Sequence, residues 1–124
     1  MALKDIKDSP MFLNDDSNYD VQPVGLKTFN AHHYYNIKFV DRNDEVQNHK
    51  IRFQEGPIKE YGVNGITDEH LIRIVLERIE SFQDSEFKCE DNKAIIYNLK
   101  HTLLYMSNRR KERESRGVEG TFKP

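Results

Sequence analysis

Apolar residues fall in two rhythms along this chain. In Tyr34-Tyr35-Asn36-Ile37-Lys38-Phe39-Val40 they alternate at Tyr35, Ile37 and Phe39, the period of a half-buried strand. Arg42-Asn43-Asp44-Glu45 supplies turn chemistry, and His49-Lys50-Ile51-Arg52-Phe53-Gln54 alternates again. After Glu55-Gly56-Pro57, a strand breaker, and the loop Gly62-Val63-Asn64-Gly65, the period changes. Leu71, Ile72, Val75, Leu76, Ile79 and Phe82 recur at helical spacing behind Thr67, a good N-cap followed by Asp68 and Glu69. Residues 84–91 make a connection anchored by Phe87. A second stripe follows, Ile95, Ile96, Leu99, Leu103, Leu104 and Met106, and Gly117 closes that helix.

The pattern predicts an α+β protein, a short N-terminal antiparallel β-sheet followed by a C-terminal two-helix antiparallel hairpin. Strands are expected within residues 21–55, and helices over residues 67–83 and 92–116. Residues 1–20, acidic and poor in apolar side chains, read as a mobile arm, and residues 21–124 as one domain. Two or three strands need a cover on one face.

Composition sharpens this. Only 36% of the 124 residues are apolar and 32% are charged, below the globular norm of about 45–50% apolar. So thin a core points to burial against a second copy, hence an oligomer. The opening Met1-Ala2-Leu3-Lys4-Asp5 lacks an apolar signal region, no stretch is a membrane span, and Cys89 stands alone. A cytoplasmic protein with no membrane partner is expected. Charge is uneven: residues 105–124 carry six cations against three carboxylates, +3, while the remainder is −5. An acidic body with one arginine cluster suits a compact anion better than DNA.

The five histidines match no zinc spacing and Cys89 has no thiol partner, so no metal, cofactor or catalytic residue is assigned. The Gly62–Gly65 loop lacks the lysine of a phosphate-binding loop and reads as a turn before a helix. Arg109 and Arg113 stand four apart on one helical face, where two guanidinium forks suit a diphosphate. The plainer reading is a solvated face, Arg109 pairing with Glu112 and Arg113 with Glu114 or another copy. On the same plain reading Phe82 closes its helix core and Asn92 is a cap.

Residues 51–121 carry a resemblance. Phe53-Gln54-Glu55-Gly56-Pro57-Ile58-Lys59-Glu60, Gly62-Val63-Asn64-Gly65-Ile66-Thr67, the segment Arg78 to Gln83 and Phe87-Lys88-Cys89-Glu90-Asp91-Asn92 follow one another in order. Arg109-x-x-x-Arg113-x-x-Arg116-Gly117-Val118-Glu119-Gly120-Thr121 completes the set. The chain resembles the phage Thoeris anti-defence sponges, and the related anti-CBASS sponges for cyclic oligonucleotides. Ser85-Glu86 departs from the Gly-Pro of many relatives, and the first fifty residues are outside the resemblance.

The resemblance implies a non-enzymatic protein in the cytoplasm of an infected bacterial host. It would bind cyclic ADP-ribose isomers without degrading them, with cyclic di- or trinucleotides as a further ligand class. Its ligand residues fall on Phe82, Asn92, Arg109 and Arg113, with Thr67 at a second nucleotide site. The resemblance implies a homo-oligomer, a dimer or a trimer of dimers. Along one helix Asn92 lies about 25 Å from Arg109 and about 31 Å from Arg113, against a ligand of order 10 Å. Two hairpins packed antiparallel bring the turn of one to the arginines of the other. The rival readings are hydrolysis of the same signal, and a basic helix on duplex nucleic acid through Ser107 to Lys111, which the acidic remainder disfavours.

Overall fold

The computed structural model describes residues 18–124. The element order is β1 (Tyr19–Val24), β2 (Tyr34–Val40), β3 (Val46–Arg52), α1 (Ile58–Tyr61), α2 (Asp68–Gln83) and α3 (Glu90–Ser115). This is the expected α+β order. The mobile arm expected over residues 1–20 lies outside the described residues up to residue 17, and β1 already begins at Tyr19. The chain divides between Glu55 and Gly56 into two compact units, where the pattern suggested one domain over residues 21–124.

In the first unit the strands form an antiparallel meander, β1-β2-β3. Val21 pairs with Ile37, Ile37 with His49, and Tyr35 with Ile51, so alternation collects the apolar and aromatic side chains on one face. Rings meet there: Tyr19 and Phe39 at 5.6 Å, Phe39 stacked on His49 at 5.4 Å, Tyr35 edge-on to Phe53 at 5.7 Å. The other face carries Asn36, Lys38, Asn48, Lys50 and Arg52. Asp41 organises the β2–β3 turn, its Oδ1 accepting from the backbone N–H of Asn43 (2.8 Å) and Glu45 (3.0 Å). His33, 9% exposed, sits under the β1–β2 loop with Nε2 2.5 Å from the Thr28 carbonyl, a packing role for one of the five histidines.

In the second unit α1 is a single turn that the apolar pattern does not signal. Gly62 takes the positive φ expected of the following loop, and Gly65 is not among the glycines that do. α2 and α3 then pack as a hairpin. Its antiparallel sense is fixed by Arg110, near the end of α3, lying 3.7 Å from Glu69 at the start of α2. α3 starts at Glu90, two residues before the expected boundary, because the cap is Cys89: its Sγ accepts the Asn92 N–H at 3.4 Å.

The hairpin closes only part of its apolar surface. Leu71, Ile72, Leu76 and Ile79 of α2 and Ile96, Leu99, Leu103 and Met106 of α3 are half-buried. Val75 and Phe82, assigned to the stripe, are exposed, as are Ile95 and Leu104. Ile74, Phe87, Tyr97 and Tyr105 lie outside the seam and are exposed by 57–70%. Among the described residues only Val118 and His33 fall as low as 9% exposed. Helices apolar on more than the shared seam need a further partner to bury what remains. Among the described residues no helix is long and apolar enough to cross a membrane.

Candidate functional site

The residues singled out in the sequence gather at opposite ends of the hairpin. Phe82, in the last turn of α2, and Asn92, in the first turn of α3, flank the connection. Thr67, Arg109 and Arg113 lie toward the other end, where the N-terminus of α2 meets the last turns of α3.

The connection is held by its own side chains. Ser85 Oγ donates to the Phe82 carbonyl (2.5 Å) and accepts the Phe87 N–H (3.1 Å), and Gln83 Oε1 accepts the Cys89 N–H (3.0 Å). The departure at Ser85 therefore carries its own stitching. Asn92 Nδ2 reaches back to the Phe87 carbonyl at 3.5 Å, leaving its amide oxygen available as an acceptor. Phe82 is 44% exposed, and Arg78, one turn earlier, brings its guanidinium carbon 5.7 Å from the ring centroid. Arg78 was not singled out in the sequence. The signal was there, since a cation four residues before an aromatic on one helix is placed to cover it.

At the other end, the two arginines differ sharply. Arg109 is exposed and makes no hydrogen bond or ion pair among the described residues. The partner expected for it, Glu112, is taken by Arg116, whose Nε and Nη2 both reach its carboxylate. Arg116 and the positive field of Arg113 and Arg109 hold the Glu112 carboxyl below its ordinary range.

Arg113 is instead drawn into the structure, its side chain 11% exposed. Its Nε donates to Glu119 at 3.2 Å, and its Nη2 to the carbonyls of Val118 (2.9 Å) and Thr121 (3.4 Å). The backbone explains why these acceptors lie there. Gly117 at φ 71° reverses the chain, with Val118 N–H returning to the Arg113 carbonyl and Gly117 N–H to that of Glu114, the double bond of a Schellman end. The tail then meets α1, where Lys59 N–H bonds to the Gly120 carbonyl (3.1 Å) and Tyr61 stands edge-on to Phe122.

Thr67 caps α2 with its backbone N–H bonded to His70 Nδ1 (3.0 Å), and its hydroxyl lies 3.2 Å from the same nitrogen. Among the described residues no cluster of three or more His, Cys, Asp or Glu is placed to hold a metal ion.

Residues 45–103 match the family model of the Acb2/Tad1 hairpin domain. Over that span, just under half of the chain, the protein is similar to this hairpin domain. The match takes in Thr67, Phe82 and Asn92 and ends before Arg109 and Arg113. The chain is also 46% identical over 71 residues to a Bacillus phage SBSphiJ7 protein named Thoeris anti-defense 1. The aligned segment is 57% of this chain and 50% of that relative, so the chain spans about half the length of the curated relative it matches. Domain and relative together support the phage Thoeris anti-defence family expected from the motifs.

Proposed function

We propose that this protein is a phage anti-defence sponge. It binds cyclic ADP-ribose-type immune signals and holds them unaltered, in pockets shared between two copies inside the infected host. The relative named for Thoeris anti-defence and the hairpin domain give this reading its class. The observation that carries the pocket is the division of its chemistry between the two ends of the hairpin. An aromatic ring and a base- or ribose-reading amide sit at the turn, while the anion-binding guanidinium of Arg109 sits 17 residues further along α3. At 1.5 Å per residue that is about 25 Å, beyond the span of one cyclic ADP-ribose, of order 10 Å.

A second hairpin, packed antiparallel, joins the two halves. A two-fold arrangement then yields two equivalent pockets. The exposed apolar residues of α2 and α3 supply the surface such packing requires. Phe82 stacks on the adenine, an interaction worth about 1–3 kcal/mol per base on aromatic platforms. Asn92 reads a base edge or a ribose hydroxyl. Arg109 neutralises the pyrophosphate, and Arg113 adds the guanidinium edge that Glu119 and the tail leave over. None of these residues is placed to act as a nucleophile or base, so the ligand leaves as it entered. Cyclic di- and trinucleotides are a further ligand class under this reading, with Thr67 their contact.

The test is a mixing experiment. Asn92→Ala and Arg109→Ala each lose a cyclic ADP-ribose isomer in calorimetric titration. Mixed under conditions of subunit exchange, they form hybrids with one intact pocket and regain part of the binding. Heat denaturation of the loaded wild type releases the isomer unchanged by mass and retention time. Hybrids that form without recovering binding contradict the shared pocket, and a cleaved product contradicts sequestration.

A further inference from the structure

The polar face of the sheet carries features that the hairpin reading does not use. Tyr34 pairs with Arg52, Asn36 with Lys50 and Val24 with Tyr34, so these side chains stand on one face of the meander. Together with Asn48 they line a depression of about 630 Å³, within the usual range for small-molecule sites. Lys50 and Arg52 are its cations, and among the described residues no carboxylate belongs to its lining. Two acids face the neighbourhood. Glu55 accepts hydrogen bonds from Tyr34 Oη (3.1 Å) and Thr28 Oγ1 (2.6 Å), and Asp20 sits across from Lys38 further along the sheet.

Three observations say what would occupy the depression. Arg52 stands over the Tyr34 ring, 5.5 Å from its centroid, while Glu55 fixes the ring from its hydroxyl. A guanidinium so held offers a flat cationic surface for an aromatic base. Asn36 donates to Asn48 Oδ1 at 2.9 Å, but its own Oδ1 is buried without any hydrogen-bond partner. A buried acceptor left unmet is costly, and a small rotation of the amide toward the depression would let a ligand N–H or hydroxyl satisfy it. Lys50, exposed and opposite Asn36, has no ion-pair partner among the described residues.

We infer that this sheet face is a nucleotide-binding site. A base lies against the Arg52–Tyr34 pair, an exocyclic amine or ribose hydroxyl donates to Asn36 Oδ1, and a terminal phosphate meets Lys50. The site belongs to the sheet unit and is independent of the hairpin proposal.

Titration of the full-length, nitrogen-15-labelled protein with ADP tests this. The amide resonances of Asn36, Asn48, Lys50 and Arg52 shift together, and adenosine and inorganic pyrophosphate each bind at least about tenfold more weakly than ADP. Arg52→Ala endangers the strand pairing, so Lys50→Ala carries the comparison. It keeps the dispersion of the sheet resonances and weakens ADP by about tenfold. Shifts confined to the surroundings of Phe82, Asn92 and Arg109 overturn the inference, because ADP then reads the hairpin alone. The absence of shifts on the sheet overturns it too, as does pyrophosphate binding as tightly as ADP.

Discussion

Arg113 and Glu119 form an ion pair, Nε to Oε2 at 3.2 Å, that folds the chain back over the end of α3. The guanidinium also holds the Val118 and Thr121 carbonyls. Arg113 therefore builds the end of the hairpin before it can touch a ligand, whereas Arg109 has no such structural duty. Arg113→Ala is expected to lower unfolding free energy by about 1–3 kcal/mol, the cost of unsatisfied acceptors around a lost charged donor. Arg113→Lys recovers little, since an ammonium cannot span three acceptors in the fork's plane. Arg109→Ala leaves the urea midpoint unchanged and loses only ligand. Equal midpoints for the two alanine variants contradict this division.

Ser85 ties the connection through one hydroxyl, which donates to the Phe82 carbonyl and accepts from Phe87 N–H. Ser85→Ala removes both bonds at once. A loss of about 1 kcal/mol follows from a typical net hydrogen bond. Cyclic ADP-ribose affinity falls with it, because Phe82 and the Asn92 contact to Phe87 are both set by this turn. Urea unfolding and calorimetry on the same preparation check the pair of effects. A variant with full stability and unchanged affinity shows that the hydroxyl is dispensable.

Much of this was readable in the residues, and the failures have physical causes. The four- and three-residue spacing of Ile72, Leu76 and Ile79 marks a helix wherever it packs, and the alternation through Tyr35, Ile37 and Phe39 marks a strand. The same spacing placed Val75 and Phe82 in the core, yet both are exposed. Periodicity says which residues share a face, not whether another element covers it. The cap of α3 is Cys89 where the pattern pointed to Asn92, and α1 is too short to show a period. The plain reading gave Arg113 to Glu114 or to another copy; within the chain the reversal at Gly117 brings Glu119 to it instead. The spacing of Arg109 and Arg113 was visible, but their different roles depend on that reversal.

Acid should strike the sheet through Glu55. The Thr28 hydroxyl, and after it the Tyr34 hydroxyl, hold its carboxyl below the ordinary value of 4.5. A carboxyl lowered on folding stabilises the fold above its unfolded value, and that stabilisation is lost as pH falls through the folded one. Stability of the sheet is therefore flat near neutrality and declines below 4.5. Asp41 adds to the loss, lowered from 3.8 first by the Glu45 backbone N–H. The amide resonances of β1, β2 and β3 read this unit directly, whereas tyrosine fluorescence would mix it with Tyr61, Tyr97 and Tyr105 of the other. Glu55→Gln removes its share of the acid sensitivity, and a variant with the full wild-type decline contradicts the assignment.

Two glycines of the tail separate backbone strain from contact. Gly117 at φ 71° and Gly120 at φ 75° both occupy the left-handed region, where a side chain costs roughly 1–2 kcal/mol. A Cβ at Gly117 meets nothing within 4 Å, so Gly117→Ala should show that conformational cost alone. At Gly120 the Cβ would stand 3.3 Å from Lys59 Cγ, beside the hydrogen bond from Lys59 N–H to the Gly120 carbonyl. Gly120→Ala should therefore destabilise more, and should loosen the edge-on contact of Tyr61 with Phe122. Combining each substitution with Lys59→Ala resolves the two terms. Truncating Lys59 relieves the added penalty at Gly120 and leaves the Gly117 penalty intact. If Lys59→Ala rescues both variants equally or neither, contact with the lysine stem is not what distinguishes the two positions.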